Sequence, residues 1–320
     1  MSFLAAVLIL ISVTSQPEWL TIQTEHAIVH YQQSDSLAVE NMVEIIEPSI
    51  ERIANDLQLT HIPPIKIIVA PDRNAYNELS PDRKPPGWSV GWANPRTGQI
   101  ALLSENGARM EGRDLVMSQI FVHELAHLLL DAKLQGRDIP KWLEEGYAKT
   151  AAREWSLGTS TTLTWAVVRG RLIPLDEIVH RFPKGTSRVH LAYAQSQSFV
   201  AYLFHKYGPE GFGYFLDLLA RDMPMDRALK QAFGGDLRTI EAQWNNYLQV
   251  HHTWLGLFVS RRWVWALMSL LFLVAVAVSW RRRKKKLRRM ELEDMIHDLD
   301  YEEYAKPKRR KKGNGKPTIH

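Results

Sequence analysis

The sequence predicts an α+β fold: a small N-terminal sheet, a buried helix carrying a histidine pair, a helical C-terminal half, and one C-terminal transmembrane helix. Three observations predict it. Alternating or β-branched runs, the mark of strands, are confined to the early part of the chain. The run Ile120 to Leu130 is almost wholly apolar, as a helix enclosed by protein must be. From about residue 188 onward the periodicity is helical, broken only by Gly208-Pro209, Pro224 and Gly234-Gly235.

Taken in order, Glu25 to Gln32 alternates as a strand, and Leu37 to Leu59 repeats apolar residues at helical spacing through Val39, Val43, Ile46, Ile50, Ile53 and Leu57. Pro64 to Ala70 is a dense β-branched strand, followed by a short helix near Ala75 to Leu79 and a loop from Pro81 to Gly87. Trp88 to Ala93 and Gln99 to Leu103 flank Asn94-Pro95-Arg96-Thr97-Gly98, a hairpin pattern. Gly107 to Gly112 reads as a loop with a helix start. Pro140 opens a helix at its first turn, with Trp142, Leu143 and Ala148 as its apolar side. Four helices then follow, at roughly 188–207, 209–221, 224–233 and 236–251.

Within the apolar run lies His123-Glu124-Leu125-Ala126-His127. Residues i and i+4 share a helix face, so both imidazoles reach one Zn²⁺, while Glu124 points beside the metal, where it can hold a water. A carboxylate and two imidazoles are costly in an apolar core unless a cation compensates them. A polar turn from Asp131 to Asp138 separates this helix from the next. Two helices joined so closely pack antiparallel and return a carboxylate, Glu144 or Glu145, to the histidine pair. Two nitrogens and one oxygen leave the fourth zinc position open, as a hydrolytic site requires.

The pair His123-Glu124-Leu125-Ala126-His127 and Trp142-Leu143-Glu144-Glu145-Gly146-Tyr147-Ala148 resembles the gluzincin metallopeptidases, in particular the compact bacterial peptidase MA-like domains. The resemblance runs over about residues 60 to 250. It implies a zinc metallopeptidase of the HExxH…E type, with Zn²⁺ as cofactor and protein or peptide as substrate. The Glu before Gly is the family's third ligand, so it maps to Glu145. It also implies an edge strand that pairs with substrate, for which Gln99 to Leu103 is the candidate. A Tyr on a later helix stabilises the oxyanion. Tyr193 is the choice over Tyr202 and Tyr207, with His190 as an outside possibility. The chain departs from thermolysin-like enzymes, which carry an Asp where Lys149 stands, so the residues behind the ligands are unassigned. It also lacks the Gly-x-Met-Glu-Asn motif of aminopeptidase-like members, the nearest string being Gly107 to Gly112. That points towards an endopeptidase.

The chain contains no cysteine, which excludes disulfides and thiolate metal sites. Met1 to Val13 is apolar for about a dozen residues, too short to span a bilayer and suited to a signal-peptide core. Trp263 to Trp280 is uncharged, about 27 Å long as a helix, with Trp at both ends. Arg281 to Arg289 follows with eight Lys or Arg in nine positions. The expected organisation is a signal peptide over 1–15, an extracytoplasmic catalytic domain over 20–252, a membrane span over 263–280, and a basic cytoplasmic tail over 281–320 that touches anionic lipid. The tail carries 15 basic and 7 acidic residues, a net +8 against +5 for the whole chain, so the folded domain is acidic and its charge gives no reason to expect nucleic-acid binding. The expected function is a membrane-anchored zinc endopeptidase acting on extracytoplasmic or membrane-proximal proteins. The alternative is a catalytically silent membrane scaffold of the same fold. An intramembrane protease is excluded, because Ser118, Gln119, Glu124 and the two histidines interrupt the helix well short of a spanning length.

Overall fold

A computed structural model describes residues 18–80, 85–251, 265–266 and 268–285. The chain divides into two units, Met1–Leu257 and Phe258–His320. The expected signal peptide over 1–15 and the tail beyond residue 285 lie outside the described residues.

The first unit is built on a five-stranded sheet in the order β1-β2-β3-β5-β4. Strands β1 (Trp19–Gln23) and β2 (Ala27–Gln32) form an antiparallel hairpin. Helix α1 (Ser36–Leu57) carries the chain over to β3 (Ile65–Ala70), which runs parallel to β2. Strand β5 (Gln99–Leu103) runs parallel to β3 and antiparallel to β4 (Gly91–Asn94). The period of two along β3 and β5 sorts their side chains to opposite faces. Ile67, Val69, Ile100 and Leu102 enter the main core with α1, whereas Ala70, Ala101 and Leu103 join a smaller cluster with Tyr76 of α2 (Arg73–Glu78) and Ala108 of α3 (Glu105–Met110).

This order corrects one expectation. Strand β5 is hydrogen-bonded on both sides, so it cannot accept a substrate strand; the edge beside it belongs to β4, with β1 at the opposite edge of the sheet. The reason lies in the hairpin itself, whose second strand is drawn into the sheet by β3 and leaves the first outside.

The helical half begins with α4 (Met117–Leu134), enclosed on most sides by the core through Phe121, Leu125, Leu128 and Leu129. It ends where Gln135 and Gly136 both take left-handed backbone angles. Pro140 caps α5 (Lys141–Ala151), which packs between α4 and α7 (Thr186–Ala220). A Cβ at Gly146 would stand 2.4 Å from the Ser196 carbonyl oxygen, so only glycine lets α5 lie this close to α7. Within the range labelled α7 the backbone leaves the helical conformation at Gly208 (φ 70°), just before Pro209, so two helices meet there at a kink, at the break expected between 207 and 209. A further helix not foreseen, α6 (Leu157–Val168), precedes it, and α8 (Met225–Phe233) and α9 (Leu237–His251) close the unit.

In the second unit residues 268–285 are helical, with Met268, Leu271, Phe272, Leu273 and Trp280 all exposed, and the helix takes in Arg281 to Lys285. Among the described residues no helix is long and apolar enough to cross a membrane. The span expected over 263–280 begins outside them, at Trp263 and Val264.

Candidate metal centre and active-site cleft

Helix α4 places His123 and His127 one turn apart, with Nε2 facing Nε2 at 3.2 Å and the rings at 70°. Helix α5 brings Glu145, a buried carboxylate, to meet them, its Oε2 3.8 Å from His123 Nε2. One donor atom from each of the three lies within 4.8 Å of the others. Ligands about 2.0–2.1 Å from a tetrahedral zinc stand roughly 3.3 Å apart; the imidazole nitrogens at 3.2 Å have that spacing, and the Glu145 oxygen at 3.8 Å stands near it. A proton shared between the imidazoles satisfies that pair alone and leaves the approach of Glu145 unexplained. Burial, reinforced by neighbouring His123, pushes the His127 imidazole down to about 3, keeping it neutral with a lone pair to give. The donor set fits Zn²⁺ by element type, spacing and charge.

The outer atoms of these side chains are held as well. Glu154 accepts from His123 Nδ1 at 2.7 Å and is itself ion-paired with Lys149. Burial disfavours a charged His123, but the Glu154 hydrogen bond and the carboxylates of Glu124, Glu154 and Glu145 outweigh it and raise its pKa. Burial likewise opposes ionisation of Glu154, yet His123 and Lys149 bring it down to about 2. Glu144 Oε1 stands 3.5 Å from His127 Nδ1, an electrostatic contact too long for a hydrogen bond. Lys141 Nζ lies 3.0 Å from both Glu144 Oε2 and Glu145 Oε1, which leaves Glu145 Oε2 turned to the imidazoles. The two adjacent carboxylates are thereby told apart: Glu145 faces the inner nitrogens and Glu144 an outer one.

Glu124 sits against the edge strand. A Cβ on Gly91 of β4 would stand 2.6 Å from Ile120 Cγ2 and 2.9 Å from Glu124 Oε1, so glycine allows the strand to close over this carboxylate. Burial first, then Glu145 and Glu154, push the Glu124 carboxyl up to about 7, with His123 pulling the other way. Two cavities, of about 620 and 440 Å³, are both lined by His123, Glu124, Glu145 and Tyr193. Their other walls differ: Lys149, Glu154 and Thr159 belong to the larger, and Leu130, Asp131 and Leu134 to the smaller. Burial, then Glu145, raises the Tyr193 phenol to about 12, keeping its proton available for donation. Tyr202 and Tyr207 instead bind around Lys206 and line neither cavity, while His190 lines only the larger one.

Glu154 is the residue that sequence reasoning missed. The position where a carboxylate was sought holds Lys149, and the chain supplies one five residues later, after a left-handed turn at Arg153 (φ 53°). An acid shortly past the second motif, paired with the lysine in the expected place, was the available signal.

A family model described as Peptidase MA superfamily matches residues 85–250, more than half of the chain. The chain belongs to the Peptidase MA superfamily. Its folded unit is a gluzincin-like peptidase domain. No curated protein matches it. Among solved structures it is similar to a mutant two-domain M1 zinc metallopeptidase bound to L-tryptophan, at 15% identity and TM-score 0.38, covering 72% of this chain and 51% of that one. A mutant M1 zinc metallopeptidase from Deinococcus radiodurans bound to a Tyr-Ser-Ala substrate gives the same four values. A further mutant structure from that organism gives 15% identity and TM-score 0.39, covering 71% of this chain and 51% of that one. The chain thus spans about half the length of these structures.

Proposed function

We propose that this member of the Peptidase MA superfamily is a membrane-anchored zinc metallopeptidase, an endopeptidase whose His123, His127 and Glu145 hold the metal. The convergence of those three donors on one point carries the reading. Bound there, Zn²⁺ supplies Lewis acidity that polarises a peptide carbonyl and acidifies water. Glu124 takes a proton from the attacking water as its oxygen bonds to the carbonyl carbon, then passes that proton to the nitrogen as the C–N bond breaks. The Tyr193 hydroxyl donates to the oxyanion. The free edge of β4 offers backbone groups to an extended chain, and two cavities that share the site residues but differ in their other walls suit an internal bond better than a chain end.

Anchoring rests on a helix over Met268 to Trp280 that is uncharged and apolar apart from Ser269 and Ser279, and is followed by a basic run, a pattern suited to lipid. Arg281 to Arg289 marks the cytoplasmic side and contacts anionic lipid, so the peptidase domain faces outward and acts on extracytoplasmic or membrane-proximal proteins. The test is a casein assay on zinc-loaded protein: hydrolysis is expected, lost with chelator and lost in Glu124→Gln with zinc retained. Zinc-loaded wild type that leaves casein and unstructured peptides intact would support the silent scaffold instead.

A further inference from the structure

Trp88 has 74% of its surface exposed, yet its carbonyl and those of its two neighbours accept three hydrogen bonds from two arginines. Arg113 donates to the carbonyls of Gly87 (2.7 Å) and Trp88 (3.2 Å), and Arg73 donates to that of Ser89 (2.5 Å). Glu111 bridges both guanidiniums, bidentate on Arg73 and 3.6 Å from Arg113. Ser89 Oγ donates to the Gly91 carbonyl at 2.9 Å and so accepts from the Tyr76 hydroxyl at 2.7 Å, which ties the segment to the start of β4. Single exposed hydrophobic residues are ordinary on protein surfaces. Here three successive carbonyls are held by side chains that are themselves bridged by one carboxylate, so the indole is presented on a fixed backbone.

The place where it is held supplies the reason. Trp88 lines both cavities, as Glu124 and Tyr193 do, so it belongs to the wall that the two share. Apolar walls flank it on each side, Val90 and Ile120 in one cavity and Trp92 and Ile139 in the other. A rigid aromatic offers contact area with little ordering cost on binding.

We propose that Trp88 is a specificity-determining residue, presented by the Arg73–Glu111–Arg113 strap to grip a bulky apolar side chain next to the scissile bond of an extended peptide. The inference rests on the peptidase reading above and names its substrate class.

Its test separates the two. The purified full chain, zinc-loaded and carrying Glu124→Gln to stop turnover, is titrated against dye-labelled unstructured peptides that differ only in Leu or Gly at the central bond. The Leu peptide is expected to bind about tenfold more tightly, the scale of one apolar contact. Adding Trp88→Ala removes that preference, Trp88→Phe restores most of it, and Arg113→Gln, which loosens the strap and leaves the indole, lowers it partly. In the active chain the same ratio appears in kcat/KM and travels with KM. A Leu-to-Gly ratio unchanged in Trp88→Ala, or both peptides weakened equally, overturns the inference, as does an absence of binding by either peptide. If binding follows Trp88 but the active chain cleaves nothing, the inference stands and the peptidase reading falls.

Discussion

Glu124, Glu145 and Glu154 are three carboxylates within one small site, and what separates their roles is what each one touches. Glu154 is held down by His123 and Lys149, Glu145 has one oxygen on Lys141 and the other towards the imidazoles, and Glu124 lies half-buried under Gly91. Removing each therefore has a different signature. Glu124→Gln retains about one zinc per chain while peptide hydrolysis falls at least about a hundredfold; a variant that hydrolyses peptides at the wild-type rate contradicts the assignment. Glu154→Gln weakens zinc affinity about ten- to a hundredfold, measured by competition with a chromogenic chelator, because the His123 ring loses the partner that orients it. Unchanged affinity would mean that the 2.7 Å contact does not orient the ring. The histidine pair was legible from spacing alone, since i and i+4 have one meaning on a helix. The choice between Glu144 and Glu145 was legible only through a resemblance, because adjacent carboxylates look alike until Lys141 and the two faces of the imidazoles are placed around them. Glu154 was not legible, because it reaches His123 only through a turn that follows the helix.

At the scale of elements, two glycines set the spacing on which the site depends. Gly146→Ala puts a methyl group 2.4 Å from the Ser196 carbonyl and must push α5 off α7. The expected cost is about 1–3 kcal/mol, with a lowered melting temperature and weaker zinc retention; an unchanged melting temperature contradicts the packing argument. The strap gives a prediction with pH. The Arg73 hydrogen bond holds the exposed Glu111 carboxyl below its ordinary value of 4.5, against a smaller opposing effect of burial. A carboxyl depressed on folding stabilises above its unfolded pKa and loses that contribution as pH falls through the folded value. Wild type is therefore expected to melt above Glu111→Gln at neutral pH, and the gap to close as pH drops below 4.5; a gap that stays constant contradicts it. The long apolar or periodic elements, α1, β3, α4 and α9, could be read from the chain with ends off by a few residues. Helix α6 could not, because Thr159, Ser160, Thr161, Thr162 and Thr164 offer side-chain hydrogen bonds that compete with helix and blur its pattern. The edge position of β4 was also hidden, since a hairpin does not say which of its strands a third one joins.

For the whole molecule, stability and metal are expected to be linked, because donors from α4 and α5 converge and an ion bound there would close one helix on the other. Binding to the folded state alone raises its stability by mass action, about 2.7 kcal/mol at a hundredfold excess over Kd. Chelation is expected to lower the melting temperature, and added zinc to restore it in wild type but not in His127→Ala. Composition predicts an acidic folded domain, an apolar run and a basic end, and the chain divides into two units after Leu257. Deleting residues 263–320 is expected to release the domain from membranes in alkaline carbonate while the full chain stays in the pellet. Release of the full chain would remove the anchoring proposal and leave the metal site untouched.

The most direct test of the metal centre is X-ray absorption at the zinc edge on purified, zinc-loaded protein, comparing wild type with Glu145→Gln and Glu144→Gln. The expected spectrum shows two imidazole nitrogens and carboxylate oxygen at about 2.0–2.1 Å, altered by Glu145→Gln and unaltered by Glu144→Gln. Zinc surrounded by solvent oxygens alone, or a wild-type spectrum that survives loss of Glu145, would contradict it.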